Sequence, residues 1–381
     1  MTTPPVDGPF REALIDLGAV RHNVSTLRAR VATPHFLAVV KANAYGHGMI
    51  PVARAALAGG ATHLGVADVA EGLALRSAGI STPILAWLHD PNEDFVAAVS
   101  AGITVCVSSV AQLDAVARAG ERAGLKPDTP PTVHIKIDTG LSRNGAADAT
   151  WAELFARAAG QEAERRVAVE GIFSHLSNAS IEDDLTQATR FESGVALARK
   201  AGLNPTLRHL AASNAALTLP QLSFDMVRVG IAMYGISPDD SVAPHDYGLR
   251  PVMTLRGRVA AVREVPAGTG VSYDLTYRTS SASRLALVPI GYGEGVPRAA
   301  SDRGPVSIRG NRYTVAGRVA MDQFVVDCGE AEVEVGDEVV LFGDPARGHP
   351  SVADWAAATN TIGYEVVTRL GGRLTRTFVD A

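Results

Sequence analysis

The sequence predicts an α/β chain, with a (β/α)8 barrel over residues 1–240 and a mostly β domain over residues 241–381. Three observations predict it. Short apolar segments alternate with alanine-rich helical segments from about residue 35 to 236, the pattern of repeated βα units. Helical periodicity then fades, and from about residue 250 apolar runs are joined by Gly- and Pro-containing turns. A chain of 381 residues also exceeds what one core comfortably serves, so a large domain plus a smaller one is expected. A doubly wound sheet is the competing arrangement, but the chain has no G-x-G-x-x-G loop and no P-loop.

In order, the barrel strands read as "FLAVVKA", "HLGVA", "PILAWL", "ITVCV", "VHIKID", "VEGIFSH", "LRHLAAS" and "MVRVGIAMYG". Segments such as "MIPVARAALAGG", "VAEGLALRSAGI" and "SSVAQLDAVARAGERAGL" supply helices between them, several ending in Gly as helix C-termini do. "EALIDLGAV" begins as one strand too many for the barrel, so residues 12–17 are assigned to the β domain. That domain takes strands from "MTLRGRVAAVREV", "SRLALVPIGYG", "YTVAGRVAMDQFVVD" and "VEVGDEVVLFG", and one helix from "SVADWAAATNTIGYEVVTRL".

Composition excludes several classes. A formal net charge of −5 argues against nucleic acid. No Lys/Arg block suits a membrane surface, and no apolar run approaches the ~20 residues of a membrane span. The N-terminus lacks a basic region followed by an apolar run, so the expected location is the cytoplasm. Cys106 and Cys328 read as reduced core residues. No H-E-x-x-H or C-x-x-C spacing appears, and no metal is expected.

Barrel enzymes build their sites at the C-terminal strand ends, and side-chain alternation sorts inward from outward positions. Strand one delivers Lys41. Strand five puts His134, Lys136 and Asp138 on one face against apolar Val133, Ile135 and Ile137. Later strands end in His175, in His209 and Ser213, and in Arg228 and Gly230. A desolvated lysine titrates low and forms Schiff bases with aldehydes, of which pyridoxal 5'-phosphate is the commonest. Ser213 and the backbone of "VGIA" are placed to hold its phosphate, and Arg228 to reach its pyridine nitrogen. The competing reading makes Lys41 an ion-paired barrel lysine.

With these residues in place the chain resembles the alanine racemases. The resemblance runs through "AVVKANAYGHG", "KIDTGLSRNG", "GIFSHL", "RHLAAS", "FDMVRVGIAMYG", "VSYDLTY", "PIGYGEG", "GRVAMDQFVVD" and "TIGYEVVTRLGGRLTR". It implies a head-to-tail homodimer that uses pyridoxal phosphate to interconvert L- and D-alanine for peptidoglycan precursors. Lys41 resembles the Schiff-base lysine and one base, and Tyr273 the second base, contributed by the partner subunit. Arg228 resembles the partner of the pyridine nitrogen, and His175 its link to Tyr273. Tyr45, Ser213, Gly230, Ile231 and Tyr364 match phosphate contacts. Arg143 matches an arginine near the cofactor's phenolic oxygen and the substrate carboxylate, Met321 the residue whose backbone amide meets that carboxylate, and Tyr292 and Tyr364 the entrance. Lys136 matches a lysine that family members often carbamylate; otherwise it pairs with a carboxylate such as Asp138 or with a bound anion. Free tyrosine titrates near ~10 and lysine near ~10.4, so each acts as a base near neutrality only when shifted.

Departures from the family pattern bear on substrate breadth. Ala212 stands at the family's asparagine position, so one cofactor contact is lost or is supplied by Asn214; "HLSNAS" lacks a corridor carboxylate, "GYGEG" replaces "GYADG", and Asp274 stands where glycine is frequent. His47 reads as a turn or barrel-mouth histidine, His209 as a polar interior residue, and Asp322 as an entrance residue or a local amide acceptor. Two alternatives remain: a related decarboxylase, which would need Cys328, and a barrel-only, non-catalytic pyridoxal-phosphate-binding protein.

Overall fold

The protein is described from a computed structural model covering residues 9–31 and 33–380. The chain divides into two units: residues 21–44 with 52–233, and the stretch up to residue 20 with 45–51 and everything from 234 onward.

The first unit is a parallel barrel. Its strands are β2 (His35–Val39), β3 (His63–Val66), β4 (Ile84–Ala86), β5 (Thr104–Val107), β6 (Thr132–Lys136), β7 (Ala168–Phe173), β8 (Leu207–His209) and β9 (Met226–Val229). They pair in the order β8-β7-β6-β5-β4-β3-β2-β9, so each of the eight apolar runs is a barrel strand. Between β8 and β9 the ring is nearly closed by one bridge, Ala212 to Arg228, where Arg228 N donates to Ala211 O at 3.0 Å. The strands are buried almost throughout, as expected for a parallel sheet covered on its outer face. The helix Val110–Arg122 shows why the covering forms. Ser109 caps it by accepting from Gln112 N at 3.2 Å, and Leu113, Val116, Ala117 and Gly120 form one buried stripe. Helix Ile181–Lys200 repeats the plan, with a Ser180 cap, acids in its first turn and Arg199 and Lys200 in its last.

The second unit is built on a nine-stranded sheet. β1 (Arg11–Asp16) pairs antiparallel with β10 (Met253–Arg258) and parallel with a C-terminal strand, Thr375–Val379. Helix begins at Leu17, so "LGAV" is helical rather than extended. "MTLRGRVAAVREV" splits into β10 and β11 (Ala261–Val265), and the short β12 (Gly270–Val271) and β13 (Tyr277–Arg278) frame a turn. β14 (Ser283–Val288), β15 (Pro305–Ile308), β16 (Asn311–Ala316), β17 (Phe324–Asp327), β18 (Glu338–Phe342) and β19 (Thr375–Val379) complete it. "SVADWAAATNTIGYEVVTRL" is two helices, Val352–Thr359 and Gly363–Thr368, because Asn360 caps the first at φ 54°. An asparagine tolerates that left-handed conformation better than most residues.

Candidate active site

The strand β2 stops at Val39, and Lys41 opens a turn rather than ending the strand. Ala42, Asn43, Ala44 and Tyr45 all have φ of 52–54°, a left-handed turn that L-residues rarely adopt. Glu71 holds its start by accepting from Ala42 N at 2.5 Å and Ala67 N at 2.9 Å. Lys41 Nζ lies 5.7 Å from the Trp87 ring centroid, within range of a cation–π contact. The indole needs Gly65 beside it, since a Cβ there would come within 2.6 Å of the ring. Burial and the charge of Arg143 lower the Lys41 pKa, and Glu71 opposes them.

Arg228, on β9, is 5% exposed. Its NH1 donates to His209 O and to His209 Nδ1, each at 3.0 Å. Its NH2 is shared by Ser174 O at 2.7 Å, Leu210 O at 3.1 Å and His175 Nδ1 at 3.1 Å. Among the described residues no hydrogen bond is recorded for Nε–H. Arginine has no acceptor, so His175 Nδ1 accepts and the neutral ring carries its proton on Nε2. Burial and the cations Arg228, Arg143, Lys136 and Lys41 bring the His175 pKa down to about 3, so the ring is neutral near neutrality.

Lys136 is buried, with Nζ 5.7 Å from the Phe173 ring centroid. Burial lowers its pKa, as do Arg228, Arg143 and Lys41, while Cys106 raises it. Among the described residues it makes no ion pair. Asp138 accepts instead from Gly140 N at 3.0 Å and Ser142 N at 3.1 Å, so Asp138 closes a turn and the Lys136–Asp138 pair does not form. Arg143 is exposed beyond that turn.

At the neighbouring strand ends Ser213 Oγ accepts from Gly230 N at 3.0 Å, which leaves the hydroxyl proton to donate. The 3-10 turn Ile231–Tyr234 starts here, and the leading N–H groups of such a turn lack partners within it. The Asn214 Oδ1 is buried with no partner among the described residues. A lysine amine, an arginine with one uncommitted N–H, and a cluster of hydroxyl and amide donors suit a phosphorylated pyridine aldehyde.

The other predicted residues sit in the second unit. Tyr45 and Tyr364 have ring centroids 6.1 Å apart. Burial and then Tyr364 raise the Tyr45 pKa, and burial and then Asp240 raise that of Tyr364 to about 12, so both stay phenols. His47 is buried in the turn, its Nδ1 2.9 Å from Tyr45 O. Tyr273 is 69% exposed, Met321 55% and Tyr292 44%. Tyr273 rides a tight turn in which Ser272 and Asp274 have φ of 60°. Asp274 lies 3.3 Å from Arg318 Nε, and Ser272 Oγ donates to Arg318 O at 2.7 Å. The loops of Tyr292 and Met321 are tied by Gly293 N donating to Met321 O at 2.8 Å. Asp322 pairs with Arg373 at 2.7 Å, and Arg373 with the buried Glu294 at 2.6 Å.

Residues 15–238 match the family model of the alanine racemase N-terminal domain, and residues 252–378 that of its C-terminal domain. The chain belongs to the alanine racemase family. A relative named alanine racemase from Salinispora tropica is 50% identical over 94% of this chain and 95% of its own. One from Mycolicibacterium smegmatis is 46% identical over 100% of this chain and 97% of its own. The crystal structure of alanine racemase from the D-cycloserine-producing Streptomyces lavendulae superposes with a TM-score of 0.95 at 48% identity, covering 98% of each chain. That of Streptomyces coelicolor gives 0.94 at 47%, over 97% of this chain and 98% of its own. The sequence reading missed Trp87, beside Lys41, and Glu71, which holds the turn that follows it. Glu71 looks like an ordinary solvated carboxylate in sequence, and nothing local marks its targets, the backbone amides of Ala42 and Ala67.

Proposed function

We propose that the chain is an alanine racemase that binds pyridoxal 5'-phosphate and works as a head-to-tail homodimer in the cytoplasm. The observation that carries the reading is the juxtaposition of a lysine with lowered pKa, Lys41, and a buried Arg228 whose guanidinium is fixed by backbone carbonyls and His175. When bound, the cofactor supplies an aldehyde for amine capture and a ring that draws electrons from the substrate Cα–H bond.

Lys41 is the attachment point and, when neutral, takes or returns the Cα proton on one face. Tyr273 of a second copy serves the opposite face, consistent with its exposure. His175 accepts from Arg228 through Nδ1, so its Nε2–H is left to donate to the Tyr273 oxygen and to stabilise the phenolate. Arg228 offers Nε–H to the ring nitrogen and, as a guanidinium, does not surrender the proton. Restricting electron withdrawal in this way favours return of the proton to Cα over its transfer elsewhere. Ser213, Gly230, Ile231, Tyr45 and Tyr364 hold the phosphate. Arg143 and the Met321 backbone take the substrate carboxylate, and Tyr292 and Tyr364 narrow the entrance. Lys136, a cation near cations, is the carbamylation position; a carbamate there gives Arg143 an anion.

Cys328 is 5% exposed and burial pushes its thiol up to about 12. This disfavours the decarboxylase alternative, which needs a reactive cysteine. The test is chiral analysis of purified protein with L-alanine and pyridoxal phosphate, with Lys41→Ala as control. D-alanine approaching an equal mixture, in the wild type alone, is the expected result. A wild type that binds the cofactor yet forms no D-alanine refutes the reading.

A further inference from the structure

Behind Arg228 lies a chain of side chains that the scheme above leaves unused. His209 Nδ1 is 3.0 Å from Arg228 NH1, His209 Nε2 is 2.9 Å from His134 Nδ1, and His134 Nε2 is 3.2 Å from Glu170 Oε2. These residues come from β9, β8, β6 and β7, so the chain crosses the barrel interior. His209 is fully buried, His134 is 2% exposed, and the Glu170 side chain is 39% exposed. The hydrogen bonds have one possible sense. Arginine only donates and carboxylate only accepts. His209 therefore accepts at Nδ1 and donates from Nε2, His134 accepts at Nδ1, and its Nε2–H donates to Glu170.

The surroundings hold both rings in place. Phe173 stacks on His209, centroids 4.5 Å apart and planes 6° from parallel. Gly171 makes room for His134, since a Cβ there would lie 2.7 Å from the imidazole. His63 and His35, at the starts of β3 and β2, are the other titratable groups whose charges reach Glu170. Among the described residues Arg228 has no carboxylate in direct contact, so Glu170 is the anion to which it is connected, through two imidazoles.

We propose that Glu170, His134 and His209 are positioning residues for Arg228: a one-way hydrogen-bond chain ending on a carboxylate, which fixes the guanidinium in the orientation that leaves Nε–H for the cofactor's ring nitrogen. Its hydrogen bonds stand on geometry alone, while its consequence for the reaction rests on the racemase reading. Without the chain, His209 can turn an N–H towards Arg228 NH1; this loosens a guanidinium otherwise held by His209 O, Ser174 O, Leu210 O and His175, and the ring nitrogen becomes more open to protonation. Electron withdrawal then strengthens, and transamination competes with racemisation.

The test uses the holoenzyme and its Glu170→Leu, Glu170→Gln and Glu170→Asp variants. Imidazole nitrogen resonances at neutral pH report the tautomers, and the number of racemisations per transamination event reports the chemistry. In the wild type His209 and His134 are expected neutral, each protonated on Nε2. Glu170→Leu is expected to mix the tautomers and lower the partition ratio about tenfold, the scale of outer-shell effects, with Glu170→Asp restoring both. Glu170→Gln keeps an acceptor without the charge and serves if the leucine variant does not fold; it is expected to lower the ratio by a smaller factor. A wild-type His209 protonated on Nδ1 overturns the proposal, as does an unchanged ratio in both Glu170→Leu and Glu170→Gln. A wild type that shows these tautomers but racemises nothing overturns the racemase reading and leaves the hydrogen-bond chain standing.

Discussion

A histidine buried among cations is a base held out of reach of protons. His175 is brought down to about 3, and burial, His35 and His134 bring His63 down to about 4 despite Glu170. In the unfolded chain both rings protonate near 6.5, so below that pH the unfolded state binds more protons than the folded one. Stability is complete above about 6.5 and falls as pH drops towards the folded values. For the partly screened His63 the loss is about 1–2 kcal/mol. Urea midpoints measured near pH 7 and pH 5 are expected to fall in the wild type and to fall less in His63→Gln. Equal slopes in the two proteins would refute the assignment. At this scale the sequence was partly readable. Alternation along a strand pointed Lys136, His134 and Arg228 inward. It did not show that Asp138 would turn back onto Gly140 and Ser142, because a side chain capping its own loop is set by local backbone and not by strand parity.

At the scale of elements, hydrophobic patterning located the eight barrel strands because each is a short apolar run between helices, and burial on both faces demands that. It failed where backbone conformation defied residue type. Nothing in "KANAY" announces four consecutive left-handed residues, and Lys41 therefore reads as strand although it begins a turn. Asp274 at φ 60° is a similar case. Left-handed backbone costs an L-residue about 1–2 kcal/mol, whereas glycine adopts it freely and loses about 0.5–1 kcal/mol in chain entropy. Ala42 is exposed, so its methyl has little packing to lose. Ala42→Gly is therefore expected to stabilise the protein by up to about 1 kcal/mol, seen as a higher urea midpoint. A lower midpoint would mean that the methyl packs against something that its exposure does not show.

At the scale of the whole molecule the two proposed bases belong to different units of the fold, and the reading requires them to meet across two copies. The expected second domain was read from a loss of helical periodicity, but assembly leaves no such mark: no pattern of charge or hydropathy states whether an exposed tyrosine completes another chain's site. The arrangement is testable by complementation. Lys41→Ala removes one base and Tyr273→Phe the other, and each is expected to lower turnover by at least ~100-fold, the usual scale for a general base. Subunits of the two variants are then mixed in equal amounts and allowed to exchange. In a two-fold dimer roughly half of the dimers become mixed, and each mixed dimer has one site with both native residues and one with neither. Activity should return to about one quarter of the wild-type value per site, and only after exchange. If each chain served its own site, a mixed dimer would contain two singly damaged sites and exchange would restore nothing. Recovery therefore distinguishes a base supplied by the partner from one supplied within the chain, and it does so without either variant having to be fully inactive.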